Sequence, residues 1–512
     1  MSDNKVTLDQ LDNSAVEAMS SSVGDVNMLN TENKTIVGAL AEIVGKKEIA
    51  NAIGEPLAET DKFTEMSSEI NGLLSTFKTN MMNAGVVVED GDKFKQLIDK
   101  VQDISLGIEN TRNTLAGLMQ EGGYDITGDE SIDSLLDLLI LSGISVSDVK
   151  QIACGQYHTF ILKYDGSIWS CGYNSTGQLG LGDTTNRNTF TQVTTNINND
   201  VKQVACGYKH TCILKNDGSI WSCGSNNTGQ LGLGDTTNRN TFTQVTTNIN
   251  NDVRQIACGV YYTVILKNDG SVWSCGYNGN GNLGLADTTD RSTFSQVTTN
   301  INNDVKQIAC GLYHTIILKN DGSLWSCGLN DKGQLGLNDT TNKNIFTQVT
   351  TNINNDVKLV DCGAYHTFIL KNDGSLWSCG LNDYGQLGIG TWDENAHSIF
   401  TQVTTNINND VKLVDCGYYH TFMIKNDGSI WCCGLNDYGQ LGFNDVTNRN
   451  IFTQVTTNIN NDVRQIACGA THTFIIKNDG SVGSCGRNNY GQLGFNDTTD
   501  RNTFTIIPRG FY

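Results

Sequence analysis

The sequence predicts a mainly β protein, a seven-bladed propeller preceded by a smaller α-helical N-terminal region. Three observations carry this. A segment typified by residues 149–193 recurs seven times, with later copies opening at Val201, Val253, Val305, Val357, Val411 and Val463, a step of 52 residues except once, where it is 54. Repetition at such a period marks an array of equivalent units. Each copy holds four short β-branched and aromatic runs bounded by Gly, Asn and Asp, and the second run lacks polar alternation, so both its faces are expected to be buried, as blades around an axis require.

From the N-terminus, residues 1–28 are uninformative. Residues 29–145 have helical periodicity and neither Cys nor Trp. Gly54 is followed by Phe63, Met66 and Ile70, Gly85 by Phe94, Leu97 and Val101, and Gly123 by Ile132, Leu135 and Leu139. Apolar residues at i, i+3 and i+7 share one helix face, and Gly is a stop signal, so three helix–turn–helix units are predicted. Residues 30–40, Asn-Thr-Glu-Asn-Lys-Thr-Ile-Val-Gly-Ala-Leu, with Glu42-Ile43, resemble a segment of bacteriophage tail-fibre and tail-appendage proteins. The units 47–74 and 78–104 resemble small helical modules of phage tail proteins. The junction is placed at 143–148, where period 3.6 gives way to period 2, and the propeller at 146–512.

In the first copy the runs are 149–155, 159–163, 167–172 and 189–193. Asp165-Gly166 joins the second to the third as a hairpin, because Gly takes positive φ without a Cβ clash. Between copies, Thr-Thr-Asn-Ile-Asn-Asn-Asp-Val is identical in six connections, from 194–201 to 456–463. Asn and Asp tolerate left-handed geometry, which suits a tight crossing. Calcium would need more than the one carboxylate that each loop offers.

The repeated pattern of Cys-Gly, His-Thr, Asp-Gly, Trp-Ser-Cys-Gly and Gly-Gln-Leu-Gly, the last at 177–180, 229–232, 333–336, 385–388, 439–442 and 491–494, resembles the repeat of the regulator of chromosome condensation family. The third copy departs with Gly281-Asn282-Leu283-Gly284. The resemblance covers about 149–507 and implies a seven-bladed propeller of that type. One fold hosts many functions, so it implies less about activity.

Composition narrows the partners. Lys and Arg number 34 against 54 Asp and Glu, a net charge of −20, which argues against nucleic acid and anionic membrane surfaces. The most apolar stretch outside the repeats, 135–144, is too short to span a bilayer, so no membrane insertion is expected, and no Sec-type signal is visible. All 16 Cys lie in the repeats. Paired positions such as Cys154 and Cys171 fall on strands two apart, roughly 9–10 Å, too far for a disulfide. They read as small buried apolar residues of a reducing compartment, and zinc lacks a Cys-x-x-Cys pair to support it. No cofactor or metal is expected.

Six copies share a histidine, His158, His210, His314, His366, His420 and His472, with Tyr262 in the third. A ring of imidazoles about a channel would bind a metal or an anion. A repeated structural hydrogen bond, which the family resemblance implies, is the alternative favoured by the uncompensated change to Tyr262. Trp169, Trp221, Trp273, Trp325, Trp377 and Trp431 read as core, and Gly483 in the last copy leaves blade seven with less aromatic area. No unique acid, base or nucleophile constellation stands out, so an enzyme is not expected.

What varies among copies points to recognition. Tyr173 and Tyr277 follow the third strand, and Lys332, Tyr384, Tyr438 and Tyr490 stand three positions beyond it. Aromatic side chains there supply contact area at little entropic cost. The two-residue insertion in copy five brings Trp392 and His397, the Trp and His outside the repeat pattern, and Trp392 is the foremost contact candidate. These residues form the expected ligand or partner site.

Together the two resemblances imply a non-catalytic phage tail fibre, receptor-binding or baseplate appendage protein of the virion tail, synthesised in the host bacterial cytoplasm. Its N-terminal region would hold other tail or baseplate proteins, and its propeller a host cell-surface glycan or protein. A homo-oligomer fits tail fibres, although no heptad run argues trimerisation. The alternatives are a guanine-nucleotide exchange factor of the regulator of chromosome condensation type and a secreted propeller-type protein inhibitor.

Overall fold

Each repeat forms its own antiparallel sheet of four strands in chain order, and seven such sheets stand among the described residues. The structure is a computed structural model that describes residues 149–459 and 461–512. The helical units, the tail-like segment and the junction expected within 1–148 lie outside these residues. In blade one the strands are Val149–Cys154, His158–Lys163, Ile168–Gly172 and Arg187–Gln192, within two residues of the expected runs. The second strand is buried on both faces, as its unbroken apolar pattern requires. In blade two all six of its residues, His210–Lys215, are buried.

A sheet that is apolar on both faces cannot bury itself, so the core lies between blades. Seven clusters fill seven seams. The seam of blades one and two, for example, gathers Phe160, Leu162 and Ile168 against Val204, Ile213 and Phe242. Each large side chain so buried contributes roughly 1.5–3 kcal/mol. The ring closes without strand exchange. Phe474, Leu493 and Ile507 of blade seven meet Val149, Ile161 and Phe190 of blade one, with Phe511 and Tyr512 packed alongside.

The Gly-Gln-Leu-Gly motif staples each blade to the next. Buried Asn174 accepts the Leu179 N–H at 2.9 Å and shapes the turn. Gly180, at φ +70°, lies against the Phe242 ring of blade two with no room for a side chain. Two residues on, the Gly182 N–H donates to Asn240 O at 2.8 Å, and the equivalent bond from Asn496 to Asn188 O closes the ring at 2.8 Å.

The blade connections adopt the left-handed asparagines expected of them, with φ 63° at Asn196 and 53° at Asn199. Their lone carboxylate is committed within the protein, Asp200 pairing with Lys215 at 3.1 Å. That nearly buried ammonium also donates to Asn196 O at 3.2 Å and sits 4.5 Å over the Trp221 ring. A buried charge so surrounded is compensated. The tryptophans pack against the seam clusters, in keeping with the core role the sequence led us to expect, and have a second role besides. They are half-buried at the edges of the seams, each covering a lysine, because an indole that binds a cation must present its face to it.

Blade seven lacks this pair. Gly483 is opposite Ile506, whose Cδ1 is 3.4 Å from where a Cβ would stand, so an apolar side chain partly covers the gap. Gly483→Trp combined with Ile506→Gln rebuilds the arrangement of the other blades under Lys477. We expect a gain of about 1 kcal/mol, read as a higher thermal midpoint. An unchanged or lowered midpoint would contradict it.

Candidate functional site: an aromatic crown around the axial channel

The seven innermost strands end in Cys-Gly, and these dipeptides line an axial cavity of about 120 Å³. Neighbouring blades touch there through backbone, with the Val260 N–H donating to Leu312 O at 3.2 Å and the Leu312 N–H to Ala364 O at 3.1 Å. Eleven of the cysteines are buried, as expected, and five are not. Cys154, Cys206, Cys258, Cys310 and Cys468 are partly exposed to the channel, although enclosed deep within the molecule. Their thiols donate across the seams, Cys154 to Ala467 O at 3.5 Å and Cys206 to Ala153 O at 3.6 Å. Enclosure pushes the thiols up, to about 12 at Cys310, so they stay protonated. All 16 cysteines are free.

Beside this wall, at a position where five blades pack an alanine into the seam, two blades have a carboxylate. Asp361 Oδ2 accepts the Cys416 N–H and Asp415 Oδ2 the Cys468 N–H, each at 2.7 Å. Burial raises both carboxyls above their ordinary range, and the Asp415 charge raises Asp361 further.

The histidines do not form a ring open to the channel. Each is fully buried and spans a seam. His158 Nε2 lies 3.0 Å from Thr211 Oγ1, whose own proton goes to Gln178 O at 2.9 Å, so the imidazole donates through Nε2. The belt runs round to His472 and Thr159 at 3.1 Å. Tyr262 is compensated, contrary to the sequence reading. Its hydroxyl donates across the same seam to His314 O at 2.5 Å. Burial holds the imidazoles far below their usual value of 6.5, to about 3 at His158 and about 4 at His210.

Around this mouth the loops carry a crown of half-buried tyrosines. The residues after the third strand reach those after the first, as the Tyr173 N–H donates to Tyr157 O at 2.8 Å. Tyr490 lies 4.7 Å from Tyr173 and 5.3 Å from Tyr157, ring to ring, and Tyr277 and Tyr384 lie 5.3 Å from Tyr313 and Tyr419. Arg487 stacks over Tyr438 at 4.7 Å and Tyr157 at 5.6 Å, and Lys209 over Tyr173 at 5.3 Å. The crown is polarised. Lys209 and Arg487 mark the arc of blades seven to two, and exposed Asp331, Asp383 and Asp437, with Lys332 among them, leave the arc of blades four to six net acidic. Burial raises the phenols of Tyr157, Tyr261, Tyr313, Tyr365 and Tyr419, to about 12 at Tyr313 and Tyr419, so these five act as neutral donors and acceptors.

The structure thus unites Tyr173, Tyr277, Tyr384, Tyr438 and Tyr490 on one face. Lys332 holds the equivalent place in blade four, its N–H donating to Gln334 Oε1 at 2.9 Å. Trp392 and His397 stand further out, at the outermost strand of blade five, Asp393–Gln402, which two strands separate from the innermost. His397 is held within its own blade. It pairs with Asp393 at 3.0 Å, in the place where Arg187 pairs with Asp183 in blade one. Trp392 is 49% exposed. Sequence reasoning missed Tyr157, Tyr313 and Tyr365. The residue before the repeated His or Tyr262 is Tyr in five of seven copies, a signal hidden by looking for what varies.

The fold and its seam-spanning hydrogen bonds define a closed seven-bladed propeller of four-stranded repeats. The chain belongs to the family of the Regulator of chromosome condensation (RCC1) repeat, whose models match residues 165–214, 217–266, 269–318, 321–370, 373–424 and 427–476, and seven segments from 149–178 to 463–492. It is similar to the Ultraviolet-B receptor UVR8 of Arabidopsis thaliana, 31% identical over 357 residues, covering 70% of this chain and 81% of that protein. Similarity to the human X-linked retinitis pigmentosa GTPase regulator is 32% over 330 residues, 64% of this chain but only 32% of that protein. The crystal structure of Prp20p from Saccharomyces cerevisiae shares the fold with a TM-score of 0.60 at 19% identity, covering 71% of this chain and 91% of that one.

Proposed function

We propose that this chain is a non-catalytic recognition protein, an appendage of a phage tail or phage-tail-like particle whose propeller grips a host-surface glycan or protein through the tyrosine crown. The observation that carries recognition is the crown itself. Half-buried rings pre-packed against one another present contact area whose ordering cost is already met. Its hydroxyls, with cations on one arc and a net excess of carboxylates on the other, suit a polar, uncharged or dipolar surface. The resemblance of residues 30–40 to tail-fibre segments supports the virion assignment, with other tail proteins as partners of residues 29–145. Protonated thiols and neutral, fully buried imidazoles, each held to a threonine through Nε2, support the non-catalytic reading.

A second reading is favoured by the similarity to a GTPase regulator, namely nucleotide exchange on a small GTPase. Immunogold electron microscopy of particles from the producing culture, with antibody to the propeller, separates the two. Label on tail tips or fibres is expected. Unlabelled particles, with nucleotide released from a small GTPase on mixing, would favour exchange. For the crown, the full chain carrying Tyr173→Ala and Tyr490→Ala is expected to bind host cells on the order of thirtyfold more weakly than the parent. Undiminished binding would move the site off this face.

A further inference from the structure

One cluster of donors lies outside the crown, in the seam of blades two and three. His210 and Cys212 are two residues apart on one strand, so their side chains share a face. That face turns toward Thr263 of blade three. Its Oγ1 lies 3.1 Å from His210 Nε2 and 3.7 Å from Cys212 Sγ. Cys258, which ends the first strand of blade three, is the register partner of Thr263. The three donor atoms, one nitrogen and two sulfurs, all lie within 4.8 Å of one another.

We propose that His210, Cys212 and Cys258 form a binding site for one Zn²⁺ ion, with Thr263 Oγ1 in reach as a fourth donor. Zinc–sulfur bonds of about 2.3 Å and zinc–nitrogen bonds of about 2.0–2.1 Å, set tetrahedrally, put donors roughly 3.5–4 Å apart, so small side-chain movements complete the geometry. The donor set is soft, as zinc prefers. Binding releases both thiol protons and moves the imidazole proton from Nε2, which otherwise donates to Thr263, to the unpartnered Nδ1; a dication with two thiolates and a neutral imidazole is uncharged overall, as a buried place requires. Entry is from the channel, whose wall includes Cys258.

The site is peculiar to this seam. The position of Cys212 is Phe160, Val264, Ile316, Phe368, Phe422 and Phe474 in the other copies. Where it is Phe160, the ring stands edge-on to His158, 6.1 Å away. Blade two replaces that ring with a second sulfur beside an imidazole. The channel thiols alone do not supply this, because each blade contributes one.

Titration of the reduced full chain with Co²⁺ tests the assignment. One equivalent is expected to raise a thiolate-to-cobalt charge-transfer band in the near ultraviolet, which Zn²⁺ then displaces. Cys212→Phe installs the residue that four other copies carry there, so the variant is expected to fold, as its circular dichroism checks. Its Zn²⁺ affinity should fall by at least roughly a hundredfold. Cys310→Ala removes a channel thiol outside the cluster and should leave the band intact. A chain with no band, a band unaffected by Cys212→Phe, or one lost with Cys310→Ala would overturn the proposal.

Discussion

Lowering the pH from near 7 to near 5 is expected to collapse the urea-unfolding midpoint of the propeller. The cause is the belt of six buried histidines. Their folded values are depressed from 6.5 to about 3, or about 4 at His210. The unfolded chain therefore binds protons that the folded one refuses. The stability they contribute is full above pH 6.5 and is lost as pH falls below it toward the folded values. Near pH 5 each histidine costs about 2 kcal/mol, and six cost about 12 kcal/mol, comparable with the whole stability of a typical domain. Asp361 and Asp415 act oppositely. With their carboxyls raised by burial, they add stability as pH falls through their folded values, but two groups do not offset six. Urea titrations followed by tryptophan fluorescence at stepped pH check this. A midpoint unchanged between the two pH values would show that the belt accepts protons without opening.

Gly311→Ala is expected to destabilise the protein by about 3 kcal/mol or more. Gly311 needs no unusual φ; it needs space. An added Cβ would strike the His314 ring and stand 2.6 Å from Gly363 O of the next blade. Neither can retreat, because the ring is held to Thr367 at 3.1 Å and the Gly363 N–H is bonded to His366 O at 2.9 Å. Gly182→Ala is the contrast. Its nearest neighbour would be Thr241 Cγ2 at 3.9 Å, and only its φ of +86° opposes the change, so a loss of about 1–2 kcal/mol is expected. Denaturant melts of both variants decide the matter, and equal losses would refute the close-approach account.

Much of this molecule was legible before any coordinates. The strand runs, the Asp-Gly hairpins and the left-handed asparagines all follow from neighbouring residues, since alternation and turn chemistry act over two to four positions. Part of the candidate site was legible as well, because Tyr173, Tyr277, Tyr384, Tyr438 and Tyr490 break an otherwise uniform pattern. His397 stood out as unique in the sequence, and only the structure sets it against Asp393. The tryptophans were legible as aromatic area at the core, but not as the cover of a lysine, which needs the ring and the ammonium placed together.

By itself the sequence determined that there are seven equivalent units, where their strands and turns fall, and which positions correspond. Equivalence does not say which equivalents touch. His158 meets Thr211, 53 residues away, and His210 and Cys212 approach Cys258 only because blade two is rotated and offset against blade three by a particular amount. That offset is set by packing whole apolar faces into a closed ring, a property of all the seams together. The seam-spanning belt, the crown and the His–Cys–Cys cluster were therefore decided by the tertiary structure alone.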